Sequence, residues 1–97
     1  MEKQDLISTD ELCAQYQVEY SFIDGLQEHG LLKITTIKET RCVPTDSLAD
    51  LERFIRLHYE MDINLEGIEA INHLLHRVEE MQHQLNQVHN RLRLYEE

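Results

Sequence analysis

The 97-residue chain is poor in the features that mark several large protein classes. Its two cysteines, Cys13 and Cys42, are too few for the disulfide framework of a small secreted domain. It has no apolar run of about eighteen residues, the length a membrane-spanning helix needs. The first five residues lack the basic and then apolar pattern of a signal peptide. We therefore expect a reduced, cytoplasmic protein.

Basic residues are also scarce. The chain has 9 Lys and Arg against 19 Asp and Glu, a net charge of -10 at pH 7. This balance disfavours nucleic acid as a partner, because affinity for a phosphate backbone depends on many cationic contacts. With only 3 glycines there is no glycine-rich phosphate loop, and no catalytic group of residues is visible. We expect a protein that is not an enzyme and uses no cofactor.

Histidines are more numerous, with 6 in the chain, and they raise the question of a metal site. A zinc site needs three or four ligands that converge on one ion. Four of the histidines instead spread over several turns of the predicted last helix: His73, His76, His83 and His89. We interpret them as solvated side chains and predict no metal site. The two cysteines are interpreted as small apolar residues.

The first thirty residues predict two helices joined by a tight turn. Ser8 and Glu11 have the spacing of a capping box, which predicts a short helix that ends near Tyr16. A second helix is predicted to begin at residues 18–19 and to end at Gly30, because glycine favours the left-handed conformation of a helix terminus.

A small β-sheet is predicted around this pair. Residues 6–7 suit an edge strand, and residues 31–37 are rich in β-branched side chains without helical spacing. Residues 38–40 form a plausible turn and residues 41–43 a return strand, which Pro44 stops. We expect a β-hairpin that forms a wing on a helical domain.

A third helix is predicted from an N-cap at Thr45 or Asp46 to a C-terminus near Met61. Residues 62–64 interrupt the helical pattern, and Asn64 is a suitable N-cap for a last helix. The predicted buried face of the third helix consists of Leu48, Leu51, Phe54, Ile55, Leu57 and Tyr59.

The last helix has the clearest pattern in the sequence. Over residues 71–95, an apolar or aromatic residue occupies every a and d position of about three and a half heptads. These positions are Ile71, Leu74, Val78, Met81, Leu85, Val88, Leu92 and Tyr95. We predict that this stripe forms a coiled-coil dimer interface. Two questions stay open: whether the helix instead folds back on its own domain, and whether paired helices run parallel or antiparallel.

This order of elements resembles the MerR family of regulators. Residues 30–32 (GLL) stand where that family has a Gly-Leu-hydrophobic entry to its wing. Residues 64–68 (NLEGI) are similar to its Ser-Leu-Glu-Glu-Ile opening of the fourth helix. The resemblance implies a mainly α fold, with a MerR-like winged helix-turn-helix domain over residues 1–61. Residues 62–97 would form the C-terminal coiled-coil helix, which pairs antiparallel in that superfamily.

Within that superfamily, the chain looks most like the CbpM-type chaperone-modulatory proteins, which are small, acidic and end at the coiled coil. Residues 54–75 are similar to the stretch in which a helix of that family leads to an Ile-Ala turn. This resemblance implies binding to the J-domain of a CbpA-type or DnaJ-type co-chaperone. The J-domain would then be prevented from engaging a DnaK-type chaperone.

The second helix departs from the DNA-binding members. Their helix reads close to Thr-Leu-Arg-Tyr-Tyr-Glu-x-x-Gly-Leu, whereas residues 21–31 have an acid or a glycine in place of the arginine. Acidic side chains at Glu19, Asp24 and Glu28 would repel phosphates and attract a basic protein. Together with Tyr20 as an aromatic anchor, they form the predicted partner-binding site. The same acids are also compatible with an ordinary solvated helix.

Three functional hypotheses follow from these observations. The first is a non-enzymatic homodimer that binds and inhibits a J-domain co-chaperone. The second is a dimeric MerR-family transcriptional regulator that binds an operator, an analogy of fold rather than of site. The third is a structural coiled-coil adaptor without a binding role for the acidic helix.

Overall fold

The computed structural model describes residues 5–96. Residues 1–4, on which the prediction of no signal peptide partly depends, lie outside the described part. The elements in chain order are β1 (Leu6–Ser8), α1 (Thr9–Tyr16), α2 (Tyr20–Glu28), β2 (Thr35–Ile37), β3 (Thr40–Pro44), α3 (Leu48–Ile55) and α4 (Leu65–Glu96). The predicted mainly α class with a small antiparallel sheet is confirmed.

The first two helices meet at a tight turn, as predicted. The Ser8 hydroxyl accepts a hydrogen bond from the Glu11 amide at 3.1 Å and caps α1. α1 ends at Gln17, whose backbone is left-handed with φ 56°. The prediction that the second helix begins at residues 18–19 is wrong by one or two residues, because Glu19 is extended and serves as the N-cap.

Gly30 ends the second helix, as predicted, with φ +71°. The Leu31 amide then donates to the carbonyl of Leu26 at 2.8 Å, the long closing bond of a Schellman motif. Leu32 follows and is buried in the core. The predicted strand over residues 31–37 is therefore wrong in its first half: residues next to α2 complete the helix cap, and β2 begins only at Thr35.

The sheet has the strand order β1-β3-β2, and both strand pairs are antiparallel. β1 is an edge strand, as predicted. The β2–β3 turn consists of Lys38 and Glu39, which both have positive φ, 51° and 66°. A two-residue turn of this kind matches the right-handed twist of the strands that it joins.

The third helix is less regular than predicted. Neither Thr45 nor Asp46 caps an α-helix; a 3-10 turn over Thr45–Ser47 comes first, and α3 begins at Leu48. After Ile55 the chain continues as a π-helical turn, Arg56–Glu60. Among the residues predicted to be buried, Leu51 and Phe54 are buried, while Tyr59 is 43% exposed. The predicted burial of Leu48, Ile55 and Leu57 is only partial.

α4 is anchored to the domain by its first two turns. The Asn64 side chain accepts a hydrogen bond from the Gly67 amide at 2.8 Å, which confirms the predicted cap. Gly25 in α2 allows close packing here, since a Cβ at this position would overlap a Leu65 methyl carbon. Ile68 is buried with residues of α1, α2, β3 and α3 in a single core.

Beyond its first turns, α4 leaves the domain. From His76 to Glu96 every residue is exposed. The helix therefore does not fold back on its own domain within the residues that the structure describes. The alternative of an intramolecular partner for the apolar stripe is not observed.

Candidate protein-binding surface

The exposed side of α2 carries three of the four predicted partner-binding residues. Tyr20, Asp24 and Glu28 are spaced four residues apart, so their side chains lie along one side of the helix. The opposite side is apolar and contributes Phe22, Ile23 and Leu26 to the core. The amphipathic pattern of α2 thus directs Tyr20 and Glu28 to solvent and leaves Asp24 half-buried. We call Tyr20, Asp24 and Glu28 the α2 face.

Tyr20 is held in place by α1. Its hydroxyl donates a hydrogen bond of 2.8 Å to Asp10, while the side chain stays 52% exposed. This hydrogen bond is the main cause that raises the pKa of the Tyr20 hydroxyl, and desolvation adds to it. The tyrosine is therefore a fixed, accessible and uncharged aromatic group at neutral pH.

Asp24 is bonded to the hairpin. The Arg41 guanidinium on β3 donates to the Asp24 carboxylate, and it also donates to Gln27 at 3.4 Å. This ion pair neutralises both Arg41 and Asp24, and it ties the hairpin to the helix. Glu28, one turn further along, is exposed and adds negative charge at the end of the helix.

Glu19 lies in a different environment. It precedes the first turn of α2 in an extended conformation, and it lines an open pocket with Phe22, His58, Tyr59 and Leu65. Its amide donates a 3.3 Å hydrogen bond to the Tyr59 hydroxyl. The structure therefore does not bring Glu19 together with the three residues of the α2 face.

The pocket beside Glu19 contains functional candidates that sequence reasoning missed. His58 stacks on Phe22 with ring centroids 4.7 Å apart, and Tyr59 meets Phe22 edge to face at 5.3 Å. The sequence predicted Tyr59 as part of a buried helix face. The π-helical turn, for which the sequence has no recognised signal, places the two rings here.

The predicted dimer residues form an uncovered stripe along α4. Ile71, nearest the domain, is half-buried, and the others are exposed, with Leu85 at 61% as a representative value. Val78, Met81 and Leu85 line one shallow groove with Gln82. The exposed members of the stripe are Leu74, Val78, Met81, Leu85, Val88, Leu92 and Tyr95.

The cysteines and histidines do not assemble into a metal centre within residues 5–96. No three His, Cys, Asp or Glu residues of this part lie close enough to hold an ion. Cys13 and Cys42 are both free thiols, and burial, followed by the charge of Asp10, raises the pKa of Cys13. No described helix is long and apolar enough to cross a membrane.

A capped helix pair, a β-hairpin tied to its second helix and a protruding C-terminal helix define a small helix-turn-helix protein. The model of the MerR HTH family of regulatory proteins matches residues 7–90. The chain belongs to this family. No curated protein and no solved structure is significantly similar to it.

Proposed function

We propose that this chain is a cytoplasmic, non-enzymatic regulator that binds and inhibits a J-domain co-chaperone of the CbpA or DnaJ type. The observation that carries the proposal is the α2 face. In a MerR-like domain the second helix is the element that meets DNA, and here it presents a tyrosine and two carboxylates. Within residues 5–96, Arg41 is the one arginine bonded to it, and its pair with Asp24 neutralises both charges, so Glu28 supplies the net negative charge of the α2 face.

The charge of this surface favours a basic protein partner. Complementary potentials steer encounter and penalise partners of the wrong charge. J-domains typically present a basic second helix. The carboxylates of the α2 face would therefore increase the association rate and orient the J-domain. Tyr20 has the properties of an interface hot spot, because it is aromatic, fixed by Asp10 and accessible.

We further propose a division of the chain into two functional parts. Residues 1–61 form a winged helix-turn-helix domain with the β2–β3 hairpin as its wing. Residues 62–97 form a coiled-coil helix that pairs with a second copy. Burial of each large apolar side chain of the stripe is worth about 1.5–3 kcal/mol, and all of them except Ile71 are exposed in the single chain.

The test is complex formation with a purified J-domain, measured by calorimetry over a range of salt concentrations. We expect Tyr20→Ala to weaken binding roughly tenfold or more. Glu28→Lys should slow association, with an effect that fades as salt increases. Glu80→Lys makes the same charge reversal at an exposed acid on α4, so it is the matched control and should bind like the parent. Inhibition is read from the loss of J-domain stimulation of a DnaK-type ATPase.

The family match specifically favours a second candidate, a dimeric transcriptional regulator that binds operator DNA. A gel-shift experiment at low salt separates the two, because electrostatic binding to DNA is strongest there. Sequence-specific binding to a promoter fragment, without a J-domain complex, would replace our proposal with this one. If Tyr20→Ala and Glu28→Lys leave J-domain affinity unchanged, the α2 face is not the binding site.

A further inference from the structure

The pocket beside Glu19 is a built feature of the domain. Its volume is about 360 Å³, and it is open to solvent between the start of α2 and the π-helical turn. Phe22, His58 and Tyr59 supply three aromatic rings, with His58 and Tyr59 at right angles and centroids 4.9 Å apart. π-helical turns are frequent at functional sites. They point side chains in directions that a regular α-helix would not give them.

The pocket offers acceptors at the Glu19 carboxylate and at the His58 ring. His58 Nδ1 lies 2.9 Å from the carbonyl oxygen of Ile63, so Nδ1 carries the proton of the neutral ring. Nε2 of that ring is then an acceptor. The Glu19 carboxylate already accepts from Ser21 at 3.2 Å and has further acceptor capacity. A ligand for this pocket should therefore bring donors and positive charge.

We infer that this pocket binds an arginine side chain of a protein partner. A guanidinium carries five N–H donors and stacks on aromatic faces, which matches the Glu19 carboxylate beside the exposed Tyr59 ring and the half-buried His58 ring. The net charge of -10 favours the approach of such a residue. The inference rests on the proposed function for the identity of the partner. The pocket would add a second contact with the partner, on the other side of the first turn of α2 from Tyr20.

The direct test uses the full chain and the peptides acetyl-Gly-Arg-Gly-amide and acetyl-Gly-citrulline-Gly-amide, followed by NMR. Citrulline has nearly the shape of arginine but no charge. We expect saturable shifts at Glu19, Phe22, His58 and Tyr59 with the arginine peptide, and roughly five- to tenfold weaker binding of the citrulline peptide. Absence of saturable shifts, or equal binding of both peptides, overturns the inference.

Two substitutions test which side chains of the pocket bind the arginine peptide. Tyr59→Leu keeps apolar bulk but removes a π face, and Glu19→Gln removes the carboxylate charge. Each should weaken arginine-peptide binding roughly fivefold or more. Tyr59→Phe keeps the ring and should bind nearly as the parent does, which separates loss of the aromatic face from loss of structure. Glu80→Gln removes the same amount of negative charge, so a loss as large as that of Glu19→Gln would show that the effect is general electrostatics.

The J-domain complex is measured with the same variants. If both pocket variants weaken it as they weaken peptide binding, the pocket contacts this partner. If the arginine peptide binds but no J-domain complex forms with any variant, the proposed function is wrong and the arginine pocket stands. If the J-domain binds all variants equally, the pocket has no part in that complex, whatever the peptide result.

Discussion

At the scale of single residues, a few side chains join elements that are distant in the sequence. Tyr20 bonds to Asp10 of α1, Arg41 of β3 pairs with Asp24, and the Tyr16 hydroxyl donates to Glu52 at 3.1 Å. All these groups are partly exposed, and such pairs contribute little to stability. They connect α1 to α2, β3 to α2 and α1 to α3.

The bond between Tyr20 and Asp10 predicts a measurable pKa change. Asp10→Asn should lower the pKa of Tyr20 toward its ordinary value, since the hydrogen bond to the carboxylate is the main cause of the increase. In the parent, the raised pKa contributes stability that is present below the ordinary tyrosine pKa. That stability is lost as pH increases through the folded-state pKa. NMR of the tyrosine ring carbons during an alkaline titration measures the change.

Glu11→Gln is the control for this titration, because Glu11 is a neighbouring acid that does not bond to Tyr20. If Asp10→Asn and Glu11→Gln move the Tyr20 pKa equally, the hydrogen bond is not the cause.

Substitutions at Ser8 test whether its hydroxyl oxygen stabilises the N-terminus of α1. Ser8→Ala removes the hydroxyl that accepts from the Glu11 amide and should lower the free energy of unfolding by about 1 kcal/mol. Ser8→Asp keeps an acceptor at the N-cap and should cost much less. Urea denaturation measures both. Equal losses for the two variants would show that the cap does not contribute.

At the scale of elements, the hairpin and the third helix differ from what the local sequence pattern predicts. The β-branched run over residues 31–37 predicts a strand throughout, but the Leu31 amide caps α2 and Leu32 fills the core. Helical spacing predicts one regular helix that ends near Met61. The structure instead has a π-helical turn, Arg56–Glu60, in which His58 stacks on Phe22. In the first case the local cap of α2 and the burial of Leu32 override the strand preference, and in the second case packing accompanies a departure from regular helix.

The hairpin turn predicts a stabilising substitution. Glu39 has φ 66°, a conformation that costs an L-residue about 1–2 kcal/mol. Glu39→Gly should remove this strain and, after the entropy cost of glycine, raise the free energy of unfolding by about 0.5–1 kcal/mol. Glu39→Ala removes the same carboxylate but keeps a Cβ, and should give no gain. Equal urea midpoints for the glycine and alanine variants would contradict a strained turn.

At the scale of the whole molecule, the main feature is the asymmetry between a packed domain and a protruding helix. The core of the domain draws on α1, α2, β3, α3 and the first turns of α4. The rest of α4 exposes its apolar stripe. A second copy is the occupant that we propose for this stripe, and this assembly would hold two α2 faces in one particle.

Leu85→Asp tests this assembly. A charge at the centre of the stripe should convert the proposed dimer to a monomer in sedimentation equilibrium, because two buried carboxylates would be unpaired. His83→Asp introduces the same charge at an outer heptad position and should leave the dimer intact. A Leu85→Asp protein that is still dimeric would show that another surface assembles the chain.

The sequence by itself determined the features that depend on near neighbours along the chain. Ser8, Gly30 and Asn64 act on backbone groups within a few residues, and the heptads and the negative charge are properties of the chain itself. Tertiary structure alone decided the Asp24–Arg41 pair and the Glu19–Tyr59 bond. These two contacts join residues 17 and 40 positions apart. Such contacts depend on how helices and strands pack, which no local spacing specifies.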